Sequence, residues 1–288
     1  MMKNIDFRFI QTNGISLHIA VTGPEEGPLV ILLHGFPEFW YGWKKQISTL
    51  AQAGYRVIIP DQRGYNLSEK PTDVEEYTID KLRDDVMGLI EFFGSEKATI
   101  IGHDWGALVA WHLASTRSSY VDKVIPINVP HPAVFMRNVI KHPTQIFRSS
   151  YILFFQTPKI PEKLLSANHY KAMKNMMRIS SNTGAFTHED FQQYEAAWSK
   201  RNALTSMLNW YRAMRAGTMG QISNEAVTVP VRMIWGRKDH FLSLMLAKES
   251  MKLCKDGKLT MVQEATHWIH HEQPAVLNKL ILNALNEV

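Results

Sequence analysis

With a single cysteine, Cys254, in 288 residues, the chain can hold neither an intrachain disulfide framework nor a cysteine-built metal cluster, which fits a reducing, cytoplasmic setting. It also has no stretch of the roughly 18 uninterrupted apolar residues that a membrane span needs, and its start, MMKNIDFRFI, lacks the apolar centre of a signal peptide. Stable membrane insertion and export are therefore not expected. Dense runs of one charge are missing too. The net charge is +5, but Lys and Arg are spread along the chain, which argues against a nucleic acid partner. The one local concentration is Lys163, Lys171, Lys174 and Arg178, interleaved with Met173, Met176 and Met177. It reads as a solvated face over a Met-lined pocket rather than as a helix lying on a membrane. No internal repeat or low-complexity segment is present, and no pattern fixes an oligomeric state.

The chain has the 45% hydrophobic and 20% charged residues of ordinary globular material, and it is long enough to bury a core and carry an inserted subdomain. Short runs rich in Val, Ile and Leu recur as LVILLH (29–34), RVIIP (56–60), ATIIG (98–102), VIPIN (124–128), VRMIW (231–235) and KLTMV (258–262). Such runs suit strands buried on both faces, hence parallel. Helical stretches alternate with them. The clearest runs from Thr78 as N-cap to Gly94 as stop, with Ile79, Leu82, Val86, Leu89, Ile90 and Phe93 on one face; the last opens at Pro274. This is βαβ organisation. The alternation stops between about 131 and 220, where the pattern is helical and rich in Met, Trp, Tyr and Phe, with a helix start at Thr187-His188-Glu189-Asp190. Residues 1–130 and 221–288 are thus expected to form an α/β core of mostly parallel twisted sheet flanked by helices, with 131–220 as an inserted helical cap.

Four motifs carry chemistry. Directly after ATIIG comes Gly102-His103-Asp104-Trp105-Gly106, then a helix beginning ALVAWHLA. This is a G-x-nucleophile-x-G turn with Asp in the nucleophile position, and side chains at 102 and 106 would collide with backbone in so tight a turn. An isolated Asp at a helix start would otherwise be read as a cap. Downstream, in the order acid then histidine, stand Asp239 in WGRKD and His267 in THW, each just beyond a strand. Either residue alone would be an ordinary loop residue, but the order of the three is specific. Upstream, His34-Gly35-Phe36-Pro37 follows the first parallel strand, so the Phe36 and Trp105 backbone N–H groups can form an oxyanion hole. Phe36, Pro37 and Trp105 are the expected pocket wall. His267, His270 and His271 invite a metal reading, but no HExxH pattern or set of carboxylates completes a coordination sphere, and Pro274 suggests that 268–273 is mostly loop.

With HGFPEFWYGW (34–43), DQRGYNLSEKP (61–71), GHDWGA (102–107), WGRKD (235–239) and THW (266–268) in order, the chain resembles the epoxide hydrolases of the α/β-hydrolase superfamily over essentially its whole length. The resemblance implies two cap tyrosines that activate the epoxide oxygen. Their counterparts are Tyr151 in YILFFQ and Tyr211 in NWYRA. It also implies a small hydrophobic epoxide and water as substrates, a vicinal diol as product, and no cofactor or metal.

These residue types suit that reaction. The Asp104 carboxylate, with an ordinary pKa of about 3.9, is ionised without help and can attack a saturated carbon. Two phenols can protonate the alkoxide left by ring opening. His267, oriented by Asp239, would then activate water against the resulting ester. Haloalkane dehalogenases resemble the chain in fold and in Asp nucleophile, but they need N–H donors for halide; position 36 is Phe, leaving Trp198 or Trp210 as the candidate donors. Fluoroacetate dehalogenases typically have Arg where Trp105 stands. A ligand receptor of this fold would not need the acid, base, nucleophile and both tyrosines.

Overall fold

The computed structural model describes residues 5–139, 151–214 and 226–287. Eight strands form one sheet: β1 Asp6–Thr12, β2 Ile15–Thr22, β3 Leu29–Leu33, β4 Arg56–Pro60, β5 Ala98–His103, β6 Val121–Ile127, β7 Val231–Gly236 and β8 Gly257–Val262. Their spatial order is β1-β2-β4-β3-β5-β6-β7-β8. The six strands from β3 onward run parallel, while β2 pairs antiparallel with both β1 and β4. This is the α/β-hydrolase fold.

The apolar runs explain the layers. Successive residues of a strand face opposite sides. In β3, Ile31 and Leu33 accordingly join one apolar cluster and Val30 and Leu32 the other; in β5, Ile100 and Ile101 divide in the same way. On the first face pack α2 (Ile79–Phe92) and α3 (Trp105–Thr116), through Leu82, Val86, Leu89, Val109 and Leu113. On the second pack α1 (Ile47–Gln52) and the C-terminal helix, Pro274–Asn286, through Ile47, Leu50, Leu277 and Ile281. Each such side chain, fully buried, contributes about 1.5–3 kcal/mol against leaving it in water. Thr78 and Gly94 bracket α2 as expected, with Gly94 at φ 70°, although the Thr78 side chain makes no capping bond.

Two expectations need correction. The run 258–262 is a strand, but β8 is the sheet edge and Lys258, Thr260 and Met261 are exposed, so it is not buried on both faces. Residues 268–273 are not mostly loop. Ile269–Glu272 forms a helical turn, with Ile269, His270 and His271 buried, because the two histidines turn inward onto a buried carboxylate described below.

Between β6 and β7 the described residues contribute helices and no strand of the sheet: α4 Pro132–Val139, α5 Tyr151–Phe155, α6 Ile160–Ile179, α7 His188–Trp198 and α8 Ala203–Ala213. Residues 140–150 and 215–225 of this region, including the expected boundary at 220/221, lie outside the described residues. α7 starts where the sequence indicates. The Thr187 hydroxyl oxygen accepts from Asp190 N at 3.1 Å, and the Asp190 carboxylate accepts from Thr187 N at 2.8 Å, satisfying two otherwise free N–H groups. α6 is interrupted at Ala167–Tyr170, where Asn168, His169 and Tyr170 have left-handed backbone angles.

Candidate active site

The site is assembled from the carboxyl ends of the parallel strands, where α/β sheets characteristically bind ligands. β3 runs into Gly35-Phe36, β5 into Asp104, β6 into Asn128, β7 into Asp239 and β8 into His267.

Asp104 sits at φ 52°, ψ −124°, a conformation that costs a non-glycine residue about 1–3 kcal/mol. The surrounding backbone enforces it. Its carbonyl accepts from Ala107 N at 2.9 Å and Leu108 N at 3.2 Å, opening α3. A Cβ on Gly102 would lie 2.3 Å from Gly106 O, and one on Gly106 would lie 2.1 Å from Leu33 O, so the glycine frame is a steric requirement. The Asp104 side chain does not cap α3. Instead Oδ1 accepts the Phe36 N–H at 2.7 Å, with the Trp105 N–H as a second backbone donor to the carboxylate. Oδ2 faces His267 Nε2 at 3.5 Å.

His267 Nδ1–H donates to Asp239 Oδ2 at 2.8 Å. Asp239 Oδ1 accepts from Phe241 N at 2.7 Å and Leu242 N at 2.9 Å, and Oδ2 also accepts from Asn128 Nδ2 at 2.6 Å. Burial alone would lower the His267 pKa, but the Asp239 and Asp104 carboxylates outweigh it and push it up to about 10. Burial would raise Asp104 and Asp239, yet their bonds and charge interactions with His267 hold both below the ordinary carboxylate value. The three groups therefore form a carboxylate–imidazolium–carboxylate array at neutral pH.

A cavity of about 290 Å³ opens over Asp104, walled by Phe36, Phe155, Met173, Phe241 and Trp268 among others. A smaller lobe of about 50 Å³ lies toward Trp105, Leu108, Phe135 and Met214. Asp104, Tyr151 and Tyr211 border both lobes. The tyrosine rings are 6.0 Å apart, and Tyr211 stands edge-on to Phe36 at 5.5 Å and Trp105 at 5.0 Å. Burial, then the charge of Asp104, raises the Tyr151 pKa; burial, Tyr151 and Asp104 raise that of Tyr211. Both phenols are thus kept protonated.

Phe36 lines the larger lobe and Trp105 the smaller one. Pro37 is not among the described residues lining either lobe; its carbonyl accepts the Trp198 indole N–H at 2.6 Å. The Trp210 indole N–H donates to Arg63 O at 2.9 Å. Neither indole is available as a donor over Asp104.

Sequence reasoning passed over two buried partners. Asn128, at φ 57° and fully buried, clamps the acid loop: besides the Asp239 bond, its Nδ2 donates to Thr266 O at 3.2 Å and its Oδ1 accepts from Gly236 N at 3.0 Å. Glu38, in the HGFPE segment, accepts from His270 Nε2 at 2.8 Å, His271 Nε2 at 2.6 Å and Tyr194 OH at 2.5 Å. Burial pushes the Glu38 carboxyl up, but the two imidazoles outweigh it and hold it well below the usual range. Its carboxylate and the ring nitrogens of His270 and His271 lie within 4.8 Å of one another, a buried three-ligand group able to hold a metal ion, so a carboxylate does join two of the histidines; His267 is not part of that group and pairs with Asp239 and Asp104.

Residues 28–274 match the model of the α/β-hydrolase fold family. The chain is 54% identical to the AB hydrolase superfamily protein YfhM of Bacillus subtilis, over 99% of both chains. It is 36% identical to epoxide hydrolase 4 of Mus musculus, over 96% of this chain and 78% of that one. It also superposes on an epoxide hydrolase from Bacillus megaterium, solved in complex with an inhibitor, with a TM-score of 0.89 and 30% identity, over 97% of this chain and 100% of that one. Fold, sequence and relatives agree: the chain belongs to the α/β-hydrolase fold family and, within it, to the epoxide hydrolases.

Proposed function

We propose that the protein hydrolyses small hydrophobic epoxides to vicinal diols through an ester on Asp104, beneath a cap that spans 131–220 and over a core formed by 1–130 and 221–288. The observation that carries this reading is the position of the Asp104 carboxylate. It is bonded to the Phe36 N–H on one oxygen, faces His267 with the other, and borders an apolar cavity with two buried phenols.

The geometry divides the labour between the two oxygens. Oδ2 attacks an epoxide carbon, while Oδ1, held by Phe36 N–H, becomes the ester carbonyl, with the Trp105 N–H as the other backbone donor to this carboxyl group. Tyr151 and Tyr211 donate to the oxygen that leaves that carbon. Ester formation removes the negative charge of Asp104, one of the two carboxylates that keep His267 protonated, so the imidazole pKa falls at the moment a base is needed. The imidazolium proton passes toward the oxygen freed by ring opening, and neutral His267 takes a proton from water attacking the Asp104 carboxyl carbon. Negative charge then develops on Oδ1, within reach of the two backbone donors. Collapse breaks the bond between the carboxyl carbon and the original Oδ2, which leaves in the diol and takes the second proton of that water; the water oxygen stays in Asp104, and the resting carboxylate and imidazolium are restored. Asp239 holds the imidazole orientation throughout. No step calls for a cofactor.

Haloalkane dehalogenation is the competing use of an Asp nucleophile. The indole donors of Trp198 and Trp210 are engaged with backbone carbonyls and the Trp105 indole is hydrogen-bonded to Tyr211, so the two phenols bordering Asp104 carry the preference for an alkoxide over a halide. Assaying a styrene-type epoxide, a glycidyl ether and a haloalkane on one purified sample tests the reading. Diol from the epoxides without halide release is expected; halide release without diol would replace it.

A further inference from the structure

Four large apolar side chains stand in water on the helices that close the cavity: Leu153 is 73% exposed, Ile160 56%, Leu164 55% and Phe154 36%. Ile160 and Leu164 are one turn apart on α6, and Lys159 and Lys163 precede them at the same spacing, so apolar and cationic rows run side by side. The inner side of this turn is Pro161, which is buried, and Leu165. The patch meets the cavity directly: Phe154 and Leu165 line the larger lobe, while their chain neighbours Leu153 and Leu164 face solvent.

Charge narrows the choice of what covers this face. From Tyr151 to Lys171 the sequence contains Lys159, Lys163 and Lys171 against one acid, Glu162. The Glu162 carboxylate is already paired with Arg212 at 2.8 Å. All three lysines are exposed, and among the described residues none has an ion-pair partner. Isolated surface leucines are ordinary, but several grouped with cations around the mouth of an apolar cavity form an interaction surface. A two-fold contact between copies would bring two patches of the same positive sign together. An anionic lipid surface would satisfy both rows, with acyl chains for the leucines and phosphates for the lysines.

We propose that, in place of the merely solvated face that the sequence suggests around Lys163, the face formed by Leu153, Phe154, Ile160, Leu164, Lys159 and Lys163 docks reversibly on anionic lipid, with the cavity mouth turned toward the acyl layer. Attachment is peripheral, since no described helix is long and apolar enough to cross a membrane. A lipophilic epoxide dissolved in the bilayer then reaches Asp104 without crossing bulk water; this delivery role, unlike the docking, rests on the epoxide reading above.

The test is cosedimentation of the full chain with sucrose-loaded vesicles of phosphatidylcholine alone or mixed in equal parts with phosphatidylglycerol. Binding is expected to the anionic vesicles only and to be released at about 0.5 M salt. Lys159→Gln with Lys163→Gln should weaken partitioning by about fivefold per lysine. Leu153→Ser with Leu164→Ser should weaken it by at least about tenfold. Both pairs should leave turnover of a water-soluble epoxide within about twofold, because none of the four residues lines the cavity. The docking is overturned if neutral and anionic vesicles are bound alike, if neither is bound, or if both double variants bind as the unaltered protein does. It is also overturned if sedimentation velocity shows a dimer that the leucine changes dissociate, since the patch would then be covered by a second copy. Vesicle binding without diol from any soluble epoxide would sink the delivery role and the epoxide reading together, and leave the docking standing.

Discussion

Asn128 Nδ2 donates at 2.6 Å to Asp239 Oδ2, the same oxygen that receives His267 Nδ1–H at 2.8 Å. The orienting acid is therefore itself oriented, from the end of β6, and that bond is one cause of the low Asp239 pKa. Asn128→Gly keeps the positive φ and removes the clamp. The loss of buried hydrogen bonds should cost about 1–3 kcal/mol in denaturant unfolding. The Asp239 carboxyl should rise, so the acid limb of the pH–rate profile should move to higher pH. A variant with reduced stability and an unmoved acid limb would show that Asn128 supports the loop without tuning the acid.

Gly35 and Asp104 compete for the same space. A Cβ at position 35 would lie 2.3 Å from Asp104 Cβ and 2.4 Å from Oδ1. Gly35→Ala should therefore push the carboxylate out of register with Phe36 N–H and His267. Displacement of a reacting group by about 1 Å costs on the order of a hundredfold in rate, and that loss is expected in kcat with the far-UV circular dichroism unchanged. Near-normal kcat would mean that the attacking oxygen is not held where the present geometry has it.

The parallel strands were legible because burial on both faces leaves continuous apolar runs, as in LVILL and ATIIG. The β1–β2 hairpin was not, although Asn13-Gly14 at φ 47° and 70° joins its strands and Asn-Gly between alternating residues is the signature of such a turn. β1 carries exposed Phe7 and Phe9 at the sheet edge, so a search for two-sided burial passes over it. Asp104, Asp239 and His267 could be found because each follows a recognisable strand. Glu38 and Asn128 could not, since their importance lies in partners that are distant in sequence: His270 and His271 for one, Asp239 for the other. Tyr151 and Tyr211 were reached through family resemblance alone, because nothing in two separate helical segments says that their rings meet over one carboxylate.

The tyrosine pair gives a graded expectation. Loss of a general acid costs about 10²–10⁴-fold, but with two phenols bordering Asp104 one can partly cover for the other. Tyr151→Phe and Tyr211→Phe should each slow the alkylation step, measured by single-turnover stopped flow, by about tenfold or more, and the double change should bring it close to zero. An active double variant would favour a reaction whose leaving group needs no proton.

The charged array should also be visible in stability. The folded His267 pKa is raised above its ordinary 6.5, to about 10, so its stabilisation is fully present below pH 6.5 and is lost as pH rises through about 10. For Asp104 and Asp239, whose folded pKa values are lowered, the contribution is present above the ordinary value and is lost as pH falls through the folded one. Melting temperatures between pH 6 and 11 should therefore decline at the alkaline end more steeply in the unaltered protein than in His267→Gln. Parallel curves would contradict the assignment of a protonated His267 at rest.

The central claim is that Asp104 forms a covalent ester which water opens at the carboxyl carbon, and a single turnover in oxygen-18 water tests it most directly. With enzyme in excess over epoxide, mass spectrometry of the peptide containing GHDWGA should show one heavy oxygen in Asp104 and none in the diol. In His267→Gln the same peptide should instead carry one added substrate mass, because ring opening proceeds while ester hydrolysis stalls. Label in the first-turnover diol, with Asp104 unlabelled and no trapped ester in the variant, would show that water attacks the epoxide itself and that Asp104 serves only as a base.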